Sequence, residues 1–255
     1  MSDRALQDRL IRALADAPFR DSPAWRHAGV ADPDRLERFA RFLARHFYLE
    51  RIHHFFRYSR ALARITGRSP ETVIASPDFE ALFPTLVLGS RPSAHAVARL
   101  VARHVSDGGG EEVPYLADLL RYEAGMMVVE SGPRVWRDTM HEAKSTAQVN
   151  PAPVEGTVLL DLEYDLPVVL PDLLKPWSEV PTCPRRPTKL LVARSRHGRV
   201  SVARTTVVID TIMELADGRK TIEDLAVQAG LRPAELEATL QGLVELGAVR
   251  FRTGS

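Results

Sequence analysis

Apolar residues at Leu236, Leu240, Leu243 and Val244 follow the i, i+4, i+7, i+8 spacing of a half-buried helix. Proline suits a first helical turn, where its missing N–H has no partner to lose, and glycine suits the residue just past the end. Pro233 and Gly247 bracket the stripe, so the spacing predicts a helix over Pro233–Leu246. Two shorter helices are expected before it. One is Thr206–Ala216, stopped by Asp217-Gly218; the other is Thr221–Ala229, stopped by Gly230 and opened by Thr221 with Asp224 three residues on. Upstream, the β-rich runs Thr188–Arg194 and Arg199–Arg204 flank a turn, Ser195-Arg-His-Gly198, which predicts a hairpin. Ala248–Arg252 reads as a closing strand. Gly156–Asp165 alternates Leu160, Leu162 and Tyr164 with Asp161, Glu163 and Asp165, the period of a strand with one acidic face, and is expected to join the same sheet.

From Ser2 to about Glu130 the period is helical. Ser2-Asp3 opens one helix, and Asp32-Pro33 opens a long one expected to run to Ile65 before Gly67. Ser69-Pro70, Ser76-Pro77 and Ser93 open three more, and Val113–Val129 forms the last after the Gly108-Gly-Gly110 break. The many prolines from Pro167 to Pro187 predict an irregular connection and no further helix. The fold class expected is therefore α+β: an N-terminal α-helical bundle over residues 1–150, then a small winged-helix-like domain with an antiparallel sheet over residues 151–255. A chain of 255 residues, 45% hydrophobic and 26% charged, is long enough for two such domains.

Charge argues against the activity such a module first suggests. A DNA reader needs Lys and Arg for phosphates and Arg, Asn or Gln for base edges. Between Thr221 and Leu246 stand Glu223, Asp224, Glu235, Glu237 and Glu245 against Arg232 alone, a net charge of −4. The whole chain carries +1, which predicts no strong pull towards nucleic acid or an anionic membrane. No apolar run reaches the ~20 residues that cross a bilayer, and the first residues lack a signal peptide's apolar core, so a cytoplasmic location is expected. Cys183, the only cysteine, forms no internal disulfide and has no second cysteine with which to hold zinc. Arginine outnumbers lysine 30 to 4, a bias that carries no functional reading.

The order of hairpin, ELADGRKTIEDLA and LQGLVELGAVRF, over roughly the last quarter of the chain, resembles the precursor-recognition elements of ribosomal-peptide biosynthesis, whose small representative serves pyrroloquinoline quinone assembly. The resemblance implies that a leader peptide adds as an extra strand beside the strand preceding the first helix and packs against the third helix, a case of β-augmentation. A second stretch, EEVPYLADLLRYEAGMMVVES from Glu111 to Ser131, is similar to a helix of the partner proteins that accompany iron-dependent peptide-modifying oxidases in the methanobactin and 3-thiaglutamate pathways. It implies that the iron sits in a separate TIM-barrel subunit, with this chain as its non-catalytic, peptide-binding partner in a heterodimer. The implied peptide site comprises Arg199, Val200, Ser201, Val202, Ala203 and Arg204 from the strand, with Leu236, Thr239, Leu240 and Leu243 from the helix. Arg199 and Arg204 would meet acidic leader residues.

The alternatives are a winged-helix DNA-binding regulator and a helical-bundle metal oxidase. For the latter, His46, Glu50 and His53 share one face of the long helix at i, i+4 and i+7, and Glu50-x-x-His53 has di-iron spacing. A second Glu-x-x-His is missing; Asp138-x-x-His141, Glu123 and Glu130 are the nearest substitutes. The plainer reading makes both histidines polar members of an amphipathic helix already crowded with Phe42, Phe47, Phe55 and Phe56. No phosphate loop, dinucleotide fingerprint, His-Glu-x-x-His or nucleophile elbow occurs. No cofactor is expected in this chain. The aromatic residues Phe39, Phe42, Phe47, Tyr48, Phe55, Phe56 and Tyr58 are expected to form core or a subunit interface.

Overall fold

A computed structural model describes residues 3–27, 32–131, 149–195 and 197–253. The helical half begins with α1 (Asp3–Ala15), then α2 (Ala17–Arg20) and α3 (Pro23–Arg26), each of the two short helices opened by a side-chain cap, Asp16 and Ser22. Phe19 and Trp25 close with Ala13 into a small apolar cluster that also holds Leu10 and Leu36. The long helix α4 (Pro33–Phe55) starts on Asp32, whose carboxylate accepts the Arg35 N–H at 2.8 Å.

The long helix expected to reach Ile65 ends ten residues earlier. Phe56 leaves helical geometry, α5 (Arg57–Ala61) and α6 (Ala63–Thr66) follow as separate turns, and Gly67 closes them at φ 69°. The break has an identifiable partner: the buried Glu123 carboxyl group accepts N–H groups from Tyr58 at 2.7 Å and Ser59 at 3.2 Å. A distant side chain thus caps the new helix start, where N–H groups have no intrahelical acceptor. A 3-10 turn at Pro70–Ala75 leads to α7 (Pro77–Leu82) and α8 (Arg91–Ser106). The cap of α8 is Ser90 and not the expected Ser93, which is buried with its hydroxyl accepting the Val87 N–H. α9 spans Leu116–Glu130.

Strands β1 (Val149–Pro153) and β2 (Val158–Leu162) are followed by α10 (Leu166–Leu173), which the proline count did not predict. Leu166, Val169, Leu170 and Leu173 repeat at i, i+3, i+4, i+7 and all are buried. That apolar stripe outweighs the single backbone bond that Pro171 forgoes. β3 (Thr188–Arg194), β4 (Val200–Arg204), α11 (Val207–Leu215), α12 (Ile222–Ala229), α13 (Pro233–Leu246) and β5 (Val249–Thr253) complete the chain. The fold is α+β.

The molecule divides into two compact units that interleave in sequence, without a single cut near residue 150. The first takes residues up to Met127 and again Val169–Thr182; the second takes Val128–Val168 and Cys183 onward. Within the first, Val169–Thr182 is held by the Tyr115 hydroxyl donating to the Pro181 carbonyl at 2.8 Å and by Arg64, which lies 3.9 Å from the Trp177 ring centroid. Within the second, β2, β3 and β4 form an antiparallel sheet in that order, and β5 pairs with β1 in a separate two-stranded ribbon. Leu191 and Ala193 of β3 pack with Ile212 of α11, Leu225 of α12 and Leu236, Leu240 and Leu243 of α13. Gly247 ends α13 at φ 88°, and a Cβ there would lie 2.0 Å from the Arg194 carbonyl oxygen, so the close approach of helix end to strand end requires glycine.

Candidate functional site

β4 is an edge strand among the described residues, paired only with β3. Its register settles which of its backbone groups are already used. Ser195 donates its N–H to the Arg199 carbonyl at 2.8 Å, and Thr205 donates to the Lys189 carbonyl at 3.0 Å. Both are opposed residues in the register that pairs Val192 with Val202. Because bonded and non-bonded pairs alternate along an antiparallel ladder, Ser201 and Ala203 also bond towards β3. Val200, Val202 and Arg204 therefore direct their N–H and C=O groups outward, to the free edge. The opposite edge, on β2, offers fewer by the same alternation: its outward residues are Leu159 and Asp161.

The side chains of β4 divide between the two sheet faces. Ser201 and Ala203 stand opposite Ala193 and Leu191 and so share the helix-covered face; Val200, Val202 and Arg204 share the other. Directly after β4, Thr206 caps α11, and Val207 and Val208 are 81% and 38% exposed. A strand laid along β4 would run beside two small side chains and end at this apolar pair. The sequence reading missed both valines, although a Val-Val pair just past an N-cap threonine, off the core stripe of its helix, is a visible signal.

Two parts of the expected site are corrected. Leu236, Leu240 and Leu243 are 0%, 0% and 4% exposed and form the module's core, so they provide no wall for a ligand. A stripe of three leucines in so small a unit is consumed by folding. On the surface α13 leaves Glu237, Gln241 and Glu245, with Thr239 half-buried and its hydroxyl donating to the Glu235 carbonyl. Arg204 is also engaged: it pairs with Asp165, which Arg186 meets from the other side. Asp165 is fully buried; burial raises its pKa, but the hydrogen bonds from Arg186 and Arg204 outweigh it and hold the carboxyl below the usual range. Asp165 was expected on the acidic face of a strand that in fact ends at Leu162. It instead fixes the end of β4 to the segment that follows α10. Arg199 remains exposed and makes no ion pair with any described residue.

The helical unit holds the other candidates. His46 stacks on exposed Phe42, which stacks in turn on exposed Phe39, at centroid separations of 6.2 and 6.3 Å. Glu50 is exposed and His53 half-buried. Among the described residues no three His, Cys, Asp or Glu side chains gather as a metal-holding group; Asp138 and His141 lie outside them. Glu123 is occupied by the Tyr58 and Ser59 N–H groups, and Glu130 approaches Arg194 at 3.9 Å. The aromatic stripe is split: Tyr48, Phe55, Phe56 and Tyr58 belong to the core, while Phe39 and Phe42 are 50% and 60% exposed. No helix among the described residues is long and apolar enough to cross a membrane.

No protein-family model matches the chain, and a search of curated proteins finds no match either.

Proposed function

We propose that this protein is a non-catalytic partner subunit that captures the leader of a ribosomally made precursor peptide as a fourth strand on β4 and presents it to an iron-dependent oxidase. The observation that carries the reading is the outward row of backbone groups at Val200, Val202 and Arg204, next to the exposed Val207 and Val208. Backbone pairing supplies affinity in such a mode, and the side chains that flank the edge supply specificity. Exposed Arg199 remains as the cation for an acidic leader residue; Arg204 contributes its backbone. The surface of α13 carries Glu237 and Glu245 and no cation, which disfavours phosphate.

Docking of the oxidase is assigned to the helical unit, where Phe39 and Phe42 expose apolar surface that the unit itself does not bury. Iron belongs to the partner in this reading. The isolated chain is expected to bind no stoichiometric transition metal, as measured by elemental analysis; a full complement of iron that disappears on Glu50→Ala or His53→Ala would favour metal catalysis in this chain instead. The capture step is tested by titrating the purified chain with a synthetic leader of the precursor gene neighbouring its own and, separately, with duplex DNA. Saturable leader binding is expected. Tight, salt-sensitive binding of the duplex without leader binding would identify a regulator.

A further inference from the structure

The outer side of α8 presents Arg91, His95, Arg99 and Arg103, one basic residue every four positions, and α8 contains no carboxylate. Four-residue steps keep side chains on neighbouring turns, ~6 Å apart along the axis, so the like charges of Arg99 and Arg103 oppose one another. On α4 the same unit neutralises such a row: Arg41 pairs with Glu37 and Glu80, and Arg45 pairs with Glu80. On α8, by contrast, Arg99 and Arg103 form no ion pair with any described residue. Beside them runs an open groove of about 430 Å³ between α7 and α8, floored by Leu82, Ala96 and Leu100, with Asp78 on the facing side.

We propose that this groove docks an acidic amphipathic helix of a protein partner. Carboxylates repeating every four residues on that helix would meet Arg99 and Arg103, and the apolar side chains between them would enter the floor. A nucleic acid fits less well, because the apolar floor of Leu82, Ala96 and Leu100 offers nothing to phosphates. The surface lies on a different unit from β4 and serves a different chemistry, so it stands whether or not β4 takes a leader.

The test uses the full chain and a fluorescent synthetic helix with glutamate at every fourth position and leucine and alanine between. Its controls are a scrambled peptide of the same composition and a DNA duplex. Saturable micromolar binding of the helix is expected, at least ~10-fold tighter than the scramble, and Arg99→Glu combined with Arg103→Glu should weaken it at least ~10-fold. Both arginines are exposed, so the variant is expected to keep the wild-type circular dichroism and the wild-type leader affinity. No binding of the helix, equal binding of the scramble, tighter binding of the duplex, or unchanged affinity in the folded double variant would each overturn the proposal.

Discussion

Val202→Pro is expected to abolish leader capture, with an affinity loss of at least ~100-fold, about 3 kcal/mol, while the winged-helix-like module stays folded. Proline removes the central outward N–H of β4 and sets its ring against any added strand. The N–H it removes is not one that β3 uses, since the β3 bonds are made by Arg199, Ser201, Ala203 and Thr205. Moving the proline by one residue reverses the outcome. Ala203→Pro deletes a bond of the β3–β4 ladder beside the core residue Leu191 and should unfold the module. Val202→Thr keeps the backbone pattern and should retain most of the affinity. Leader titration combined with thermal melts separates the cases: leader affinity unchanged in folded Val202→Pro would remove β4 from the site.

Glu123→Ala should destabilise the helical unit by about 3 kcal/mol, because it leaves the Tyr58 and Ser59 N–H groups buried without an acceptor and opens a void. Glu123→Gln keeps an acceptor oxygen and should cost about 1 kcal/mol. The two also differ with pH. Burial pushes the Glu123 pKa up to about 8 from an ordinary 4.5, against the opposing hydrogen bonds from Ser59 and Tyr58 and the nearby charge of Arg57. A carboxyl that binds its proton more tightly folded than unfolded stabilises fully below the unfolded pKa, and that contribution is lost as pH rises through the folded pKa. The contribution of Glu123 to the stability of the helical unit should therefore decline between pH 4.5 and about 8, and in Glu123→Gln that part of the pH dependence should vanish. Denaturant midpoints across this range measure it; identical slopes in both proteins would contradict the assignment.

Local signals were legible wherever one chain segment decides the outcome alone. Thr221 with Asp224, Pro233 and Gly247 are caps whose partners lie within a few residues, and the helices they bound stand where the spacing put them. What the sequence concealed depends on distant partners. The break at Phe56 requires Glu123, sixty-odd positions away, and nothing in the apolar period of residues 33–65 marks it. α10 forms despite its prolines because all four residues of its apolar stripe are buried, a tertiary fact. The candidate site shows the same division. The strand of the site and its flanking turn could be read from β-branched runs, but the use of Leu236, Leu240 and Leu243 could not. An apolar helical stripe looks the same whether it faces a core or a ligand, and here the core takes it. Arg204 likewise shows no sign in sequence that Asp165 holds it.

Strand addition to β4 makes an amide-by-amide forecast that no other mode of binding shares. Hydrogen exchange of the full chain, with and without the synthetic leader, should show new protection at Val200, Val202 and Arg204 and little change at Ser201 and Ala203, whose N–H groups β3 already holds. Protection confined to α13, or an unaltered β4 under saturating leader, would contradict the account.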